Sequence, residues 1–386
     1  MKQVISSEKL PIKLWLSDLE QGALDQAKNL ANLPFAFRHI PIMPDSHQGY
    51  GMPIGSILAT RKVVVPNAVG VDIGCGMCAV NTNLTEISRD QLKQVLGIAR
   101  ERIPVGSNWH TEKQDDQWMP ELKGKLPLVE RGYERAQKQV GSLGGGNHFI
   151  EIQQGSDGYI WIMIHSGSRN LGHSVAEYYD KGARQLNQRY FSSVTVDQDL
   201  AFLPIEEPLA HAYLDEMNYC IAFALSNRKL MMQRMVESLT EVMGEVVTGE
   251  IINKAHNYAA WEAHYGEQVL VHRKGATSAF KDELGMIPGS QGTSSYIVRG
   301  LGNPESFMSC SHGAGRRMGR KQAMRELSLE AEIARLDEMG VVHGMRNQSD
   351  LDEAVGAYKD IQEVMENQRD LAAIVVELKP LAVLKG

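Results

Sequence analysis

Seven short segments in which glycine, histidine and acidic residues cluster constrain this chain more than any other feature of its sequence. Glycine permits tight turns and lets the backbone approach a ligand closely, and exposed N–H groups in such turns bind anions. Beside metal-binding side chains, these turns predict a metal- and phosphate-binding site. In chain order the segments are MPDSHQGYGMPIGS, VGVDIGCGMCAV, LGGGNHFIE, MIHSGSRNLGH, KAHNYAAWE, IPGSQGTSSYIVRGLGN and SCSHGAGRRMGR.

A metal centre is the first interpretation of these segments. Asp72 and Cys75 are three residues apart, so both side chains can reach one ion from a turn. Imidazoles from His148, His165 and His256 would complete the ligand set. One carboxylate, one thiolate and several imidazoles suit zinc, iron or manganese by ligand type. A lone histidine is more often a structural residue, so the prediction depends on the set as a whole.

Cys75-Gly-Met-Cys78 also matches the C-x-x-C pattern of redox sites and of half zinc sites. No second C-x-x-C occurs in the chain, which excludes a zinc ribbon. The glycine-rich flanks and Asp72 argue against a thioredoxin-like motif. We therefore expect Cys78 to be a small buried apolar residue.

His312 is the candidate nucleophile, because the glycines of Ser-His-Gly-Ala-Gly-Arg give access to its ring. Arg316 in the same motif offers a fork of donors for phosphate oxygens. A serine hydrolase is the competing interpretation, with Ser166 or Ser311 as nucleophile. Neither serine lies in a G-x-S-x-G elbow, and the chain has neither a Walker A loop nor a dinucleotide-binding fingerprint.

Composition limits the class of protein. The net charge of -7 and the pI of about 6.0 argue against a general nucleic-acid binder, although a local basic cleft is compatible with an acidic chain. Four cysteines are too few for a disulfide scaffold. The N-terminus lacks the apolar region of a signal peptide, and no run approaches the roughly 18 apolar residues of a membrane helix. A cytoplasmic protein is the expectation.

The pattern of apolar residues predicts an α+β fold: one compact mixed domain over residues 1–386, with central β-sheets, glycine-rich loops and a helical segment at about 205–250. Regular strand–helix alternation, which a doubly wound parallel sheet needs, is absent. Ser88-Arg-Asp-Gln91 predicts a capping box that opens a helix. The other predicted elements are a long helix from about Pro208 to Val247 with a break near Asn227, a helical block over Arg320–Glu338, and strands at Val63–Val65, Ile160–Ile164, Val269–Val271 and Ser294–Val298.

Together the motifs resemble the RtcB family of RNA ligases, from about residue 10 to the end of the chain. The matching strings are PDxHxGxGxxIGS, VGVDIGCGM, GGGNHFIE, HSGSRxLGH, HNY, KGAT, PGSxGTxSYIVRGLGN, SHGAGR and AYKDI. Two positions differ from the usual family pattern: Ala255 precedes His256 where many relatives have a second histidine, and Gln291 stands where methionine is common. With the acidic pI, these differences favour a member dedicated to RNA repair.

The resemblance implies a role for each matched residue. His312 is the expected site of guanylylation. Two Mn²⁺ ions that share a cysteine are expected on Asp72, Cys75, His148, His165 and His256. The expected GTP contacts are Asn147, Glu151, Arg316, Tyr358 and Lys385, and a glutamate carboxylate suits the N–H donors of guanine.

The resemblance also implies the reaction. Transfer of GMP from GTP to His312, and then to an RNA 3′-phosphate, activates that end for attack by the 5′-hydroxyl of a second RNA end. A 2′,3′-cyclic phosphate is opened by hydrolysis first, and an activating protein such as archease is a possible partner. Two other classes of protein compete with the interpretation as an RNA ligase. A metal-dependent phosphohydrolase would not need an acceptor histidine, and a non-catalytic binding module would show degraded metal ligands.

Overall fold

The computed structural model describes residues 1–386 and contains two large β-sheets with helices packed against them. Nearly all strand pairs are antiparallel, and only β2 and β3 pair in parallel. The seventeen strands are β1 (Gln3–Ile5), β2 (Ile12–Leu14), β3 (Ile40–His47), β4 (Ile54–Thr60), β5 (Val63–Val64), β6 (Gly76–Asn81), β7 (Phe149–Gly155), β8 (Ile160–Ser166), β9 (Leu203–Pro204), β10 (Ile252–Ala255), β11 (Asn257–His264), β12 (Glu267–Lys274), β13 (Ala276–Ser278), β14 (Leu284–Ile287), β15 (Ser295–Gly300), β16 (Ser309–Ser311) and β17 (Ala372–Lys385).

The helices lie between these strands in no regular alternation, so the predicted α+β class is confirmed. They are α1 (Gln21–Asn32), α2 (Pro66–Val69), α3 (Arg89–Arg102), α4 (Pro127–Gln139), α5 (Arg169–Arg189), α6 (Pro208–Met243), α7 (Arg320–Glu326), α8 (Leu329–Glu338) and α9 (Ile361–Asn367). None of the helices combines the length and the apolarity needed to cross a lipid bilayer.

The first sheet has the strand order β1-β2-β3-β4-β12-β11, and the second has the order β10-β6-β8-β7-β17-β15-β14. Two small two-stranded sheets, β13 with β16 and β5 with β9, complete the set. Strands far apart in sequence are therefore neighbours. The C-terminal strand β17 pairs with β7, which puts Lys385 opposite Phe149.

Successive side chains of β7 point to opposite faces of the second sheet. One face packs against helices, and the other face lines a cleft. Ile150 and Ile152 lie in a hydrophobic cluster with residues of α3 and α6. Phe149 and Glu151 point the other way and line a cleft. The sheet thus displays a carboxylate on one face and is anchored by helices on the other.

Helix α6 spans 36 residues without interruption, so the predicted break near Asn227 was wrong. Pro208 occupies the first turn, where its missing N–H costs nothing, and Gly244, with φ of 86°, ends the helix. Asparagine weakens helices when its side chain competes for nearby backbone groups. Here the Asn227 amide bonds to backbone outside the helix, at Gly141 and Ser142, so that competition is absent.

Other local predictions had mixed outcomes. The capping box of Ser88 and Gln91 is present at the start of α3, and the four predicted strands correspond to β5, β8, β12 and β15. The prediction of one helical block over Arg320–Glu338 was wrong, because two helices lie there: α7 ends at Glu326 and α8 begins at Leu329. Ser328 causes the interruption: its hydroxyl accepts the N–H of Ala331 and caps α8.

Candidate active site

A cleft of about 740 Å³ brings the glycine-rich segments together. Of the eleven site residues predicted from the sequence, ten line this cleft. The eleventh, His148, is buried directly behind it, in contact with Asp72 and Cys75. The lining predicted residues are Asp72, Cys75, Asn147, Glu151, His165, His256, His312, Arg316, Tyr358 and Lys385.

The five predicted metal ligands form a continuous chain of short contacts. Asp72 Oδ2 lies 3.1 Å from His148 Nε2, which lies 3.5 Å from Cys75 Sγ. Cys75 Sγ lies 3.3 Å from His165 Nε2, which in turn lies 3.3 Å from His256 Nε2. Ligands of a tetrahedral metal at bond lengths of about 2.0–2.3 Å are separated by about 3.3–3.8 Å. The spacing therefore fits donors that share one or two ions.

Strand pairing creates this cluster. Cys75 immediately precedes β6, and His165 lies near the end of β8, where it is paired with Met77 of β6. His256 lies between β10 and β11, and its backbone N–H donates to the carbonyl of Cys75 at 2.8 Å. His148 directly precedes β7, the other neighbour of β8. Donors from four distant segments therefore meet at one edge of the second sheet.

Hydrogen bonds at the outer ring nitrogens orient two of the imidazoles. Nδ1 of His148 donates to the carbonyl of Leu143, and Nδ1 of His165 donates to the carbonyl of Asn147, both at 3.0 Å. Each Nε2 therefore carries a lone pair and points toward Cys75. The converging lone pairs of the two rings fit a bound cation.

Burial also sets the protonation of these groups. It lowers the pKa of His165 and of His256 well below the ordinary histidine value, so both rings are neutral and able to coordinate. Burial, together with the nearby Asp72 carboxyl, raises the pKa of the Cys75 thiol well above its ordinary value. A metal ion that bound Cys75 would therefore displace the thiol proton.

His312 lies beside the metal donors, and its ring centroid is 4.8 Å from that of His256. Its Nδ1 is 2.7 Å from Oδ2 of Asp45, which is fully buried on β3. The same carboxylate oxygen accepts the backbone N–H groups of His312 and Gly313. Gly315, with φ of 74°, allows this close approach, because a Cβ there would lie 2.1 Å from the Asp45 carbonyl oxygen.

Three cations surround the carboxylate of Glu353, which is only 2% exposed. Arg316 Nη1 and Arg320 Nε lie 3.0 and 3.1 Å from Oε1, and Lys385 Nζ lies 3.7 Å from Oε2. The hydroxyl of Tyr358 donates to Oε2. The three positive charges outnumber the carboxyls of Glu353 and of the neighbouring Asp352, so this end of the cleft is cationic on a chain that is acidic overall.

Glu151 supplies a buried carboxyl group nearby on β7. Burial raises the pKa of its carboxyl to about 8, although the Gln153 amide at 2.7 Å and Lys385 favour the ionised form. Asn147, which precedes β7, is exposed in the cleft. The cleft thus holds a carboxyl acceptor, an amide and a cationic end, which are the groups needed to bind a purine nucleotide.

Sequence reasoning missed Glu353 and Lys274, which line the cleft, and Asp45, which is buried behind the ring of His312. Asp45 was noted in its motif without a role, and Glu353 and Lys274 were not selected. Lys274 is buried at the end of β12, where burial lowers its pKa to about 7. The available signal was its place in the KGAT string. Glu353 lies outside all of the quoted motifs, four residues before the AYKDI string, so no local pattern marked it.

Comparison with known proteins agrees with this geometry. The family model described as "tRNA-splicing ligase RtcB" matches residues 26–386. The chain is 37% identical to the RNA-splicing ligase RtcB of Escherichia coli strain K12 over 409 residues, which cover all of this chain and 99% of that protein. It is 32% identical to the tRNA-splicing ligase RtcB of Nanoarchaeum equitans, over 98% of this chain and 95% of that protein. The chain therefore belongs to the RtcB family.

Proposed function

We propose that this protein is an RNA ligase that joins an RNA 3′-phosphate or 2′,3′-cyclic phosphate end to a 5′-hydroxyl end. GTP is the proposed energy source, Mn²⁺ the proposed metal, and guanylylated His312 the proposed intermediate. RNA repair or tRNA splicing is the proposed setting. One observation carries the proposal: a histidine tethered at Nδ1 faces a cleft that holds both metal donors and a cationic end.

The contact with Asp45 suits His312 to nucleophilic attack. Nδ1 of His312 is engaged by the buried carboxylate, whereas Nε2 has no hydrogen-bond partner in the protein. A carboxylate at Nδ1 holds the proton on that nitrogen and leaves the lone pair on Nε2. Nε2 then attacks the α-phosphate of GTP: an N–P bond forms, the bond from the α-phosphorus to the bridging oxygen breaks, and pyrophosphate leaves.

The cationic end supports a role in phosphate binding. Arg316 supplies positive charge for phosphate oxygens, although its guanidinium already donates to Glu353 and to the carbonyls of Met318 and Asp352. The guanidinium lies 5.2 Å from the ring centroid of Tyr358. The ammonium of Lys385 lies 3.7 Å from Glu353, and the carboxyls of Glu353, Asp352 and Glu151 favour its charged form. A nucleotide bound here can place its phosphates among the cations and its base toward Glu151. Because guanine presents N–H donors where adenine presents an acceptor, a carboxylate at Glu151 favours GTP over ATP.

The five donors Asp72, Cys75, His148, His165 and His256 would hold the metal, with Cys75 central in the chain of contacts and suited to be shared. A divalent ion there supplies charge stabilisation to reacting phosphate groups. Histidine and carboxylate ligands suit Mn²⁺, and a thiolate also suits Zn²⁺. Residues from Glu20 to Lys385 line one cleft, which supports the expectation of a single catalytic domain.

The ligation steps follow from a covalent His312–GMP. The RNA 3′-phosphate displaces the histidine and takes the GMP, which regenerates Nε2. The 5′-hydroxyl of the second RNA end then attacks the activated phosphorus, a phosphodiester bond forms, and GMP leaves. A phosphohydrolase with the same metal ligands would need neither the Asp45-tethered His312 nor a guanine-binding carboxyl.

The test is an RNA-joining assay with purified protein, GTP and Mn²⁺. One substrate set pairs a 3′-phosphate end with a 5′-hydroxyl end, and matched sets carry a 3′-hydroxyl or a 5′-phosphate. The proposal predicts a joined product from the first set, with GTP but not with ATP. Release of inorganic phosphate from the 3′-end without joining, both alone and with an added activating protein such as archease, would instead support the hydrolase.

A further inference from the structure

Two consecutive residues in the middle of α6, Asn227 and Arg228, are both fully buried. The Asn227 carboxamide oxygen accepts the backbone N–H groups of Gly141 and Ser142 at 2.7 and 3.2 Å. Its nitrogen donates to the carbonyl of Gly167 at 3.1 Å and to the hydroxyl of Ser166 at 3.2 Å. Asn227 therefore connects the loop that leads to His148 with the residues that follow His165.

Arg228 connects the other two segments of the proposed metal centre. Its Nη1 donates to the carbonyl of Gly74 at 2.9 Å and to that of Ser166 at 2.8 Å. Its Nε donates at 2.8 Å to the side chain of Asn253 on β10. Gly74 directly precedes Cys75, and β10 leads into His256. The four ligand-bearing segments thus all bond to one turn of one helix.

The ligand-bearing segments also pack closely against α6. Gly74, with φ of 74°, lies against the backbone of α6, where an added Cβ would be 2.9 Å from the Cα of Ile221. The hydroxyl of Ser166 donates to the carbonyl of Leu143 at 2.7 Å, and that carbonyl also accepts from the ring of His148. Any shift at α6 would therefore be passed to several ligands at once.

Charge gives a second reason to connect Arg228 with the metal centre. No carboxylate forms an ion pair with the guanidinium, and its Nη2 has no hydrogen-bond partner. A buried cation without a carboxylate partner is costly, so its hydrogen bonds must offset that cost. All the bonds that Arg228 makes go to the backbone or side chains of the ligand-bearing segments.

We propose that Asn227 and Arg228 are positioning residues that hold the four ligand-bearing segments in place before a metal ion binds. This inference rests on the metal centre of the proposed function. Partners that orient metal ligands typically change metal affinity about 10- to 100-fold when they are altered. Arg228→Lys keeps the charge, but a lysine cannot present the same fork to Gly74, Ser166 and Asn253.

The test measures Mn²⁺ affinity of metal-free protein by calorimetry, and thermal stability of the same samples. The control is Glu216→Gln on the same helix, because Glu216 is also fully buried but bonds the start of α4 and the hydroxyl of Tyr179. We expect both variants to lose stability. Only Arg228→Lys should bind Mn²⁺ about 10- to 100-fold more weakly, the range for an altered ligand-orienting partner.

A milder variant, Asn253→Ser, decides the question if Arg228→Lys does not fold. It removes the acceptor of Arg228 Nε and leaves α6 intact, and it should also weaken Mn²⁺ binding without a matching loss of stability. Wild-type affinity in the folded variants, or equal loss in Glu216→Gln, overturns the positioning role. A wild-type protein that binds no divalent metal refutes the metal centre itself, which is a distinguishable failure of the proposed function.

Discussion

Oδ2 of Asp45 lies 2.7 Å from Nδ1 of His312, and the same oxygen accepts two backbone N–H groups of the turn that carries the histidine. Although burial raises the pKa of Asp45, the contacts with His312 outweigh it and hold that pKa below the ordinary value. The carboxylate is therefore ionised at neutral pH. It fixes both the orientation of the ring and the nitrogen that bears the proton.

Asp45→Asn should keep the shape of the site but lose the preference for a proton on Nδ1 of His312. An amide can donate to Nδ1, which would place the proton on Nε2 and remove the nucleophilic lone pair. We expect guanylylation to fall on the order of 10²- to 10⁴-fold, the range for loss of correct proton placement. Rates of label transfer from GTP measure this, and the exposed Asp25→Asn is the control. Equal rates in both variants would remove Asp45 from the mechanism.

GTP binding should strengthen with pH because of Glu151. Its pKa of about 8, raised by burial, means that the carboxyl is protonated below pH 8 and ionised above it. The ionised form accepts the N–H donors of guanine, so the dissociation constant should fall about tenfold per pH unit up to about pH 8 and then level off. In the unliganded protein the same shift lowers the free energy of unfolding as pH rises from about 4 to 8.

Glu151→Gln serves as the control for this dependence. The glutamine does not titrate. At pH 9 the variant should therefore have a dissociation constant for GTP about 10- to 100-fold higher than that of the wild type, as expected for a lost charged hydrogen bond. Any titration of GTP itself affects both proteins equally, so it cancels in the ratio of their dissociation constants. A ratio that stays constant from pH 6 to pH 9 would show that Glu151 does not contact the base.

Cys75→Ala should abolish stable metal binding while the protein stays folded. Cys75 is central in the chain of donor contacts, and its side chain is small, so truncation removes a ligand with little loss of packing. Cys78→Ala is the matched control, because Cys78 packs in the hydrophobic cluster on the other face of the sheet. Elemental analysis after desalting measures retained Mn²⁺, and circular dichroism measures the fold. Retention of the metal by Cys75→Ala would exclude the thiolate from the ligand set.

Lys385→Met should weaken GTP binding about 10- to 100-fold, the range for one charged hydrogen bond. The ammonium lies in the cleft 3.7 Å from Glu353 and acts on Glu151 as well. Lys379→Met on the same strand is the control, since that lysine is exposed outside the cleft. Equilibrium binding with labelled GTP gives both constants. Similar weakening in the two variants would indicate a general effect of charge rather than a contact.

The sequence predicted the ligand-bearing turns because their chemistry is local. Cysteine and histidine in glycine-rich turns can be recognised in one segment at a time, and strands such as β8 show as apolar runs. Asp45 could not be assigned a role, since its partner His312 lies 267 residues away and nothing in either segment specifies that they meet. The buried positions of Asn227 and Arg228 could not be predicted for a related reason. Within a long amphipathic helix, polar residues suggest a helix break or an exposed surface rather than buried side chains that bind other segments.

Covalent labelling of His312 tests the proposed histidine–GMP intermediate most directly. Wild type and His312→Gln are incubated with GTP labelled at the α-phosphate and Mn²⁺, and the proteins are then separated under denaturing conditions. A guanylylated His312 predicts a label on the wild type alone that is lost in acid and stable in alkali, as a phosphoramidate requires. Equal labelling of His312→Gln, or no label on folded wild type that holds its metal, would contradict it.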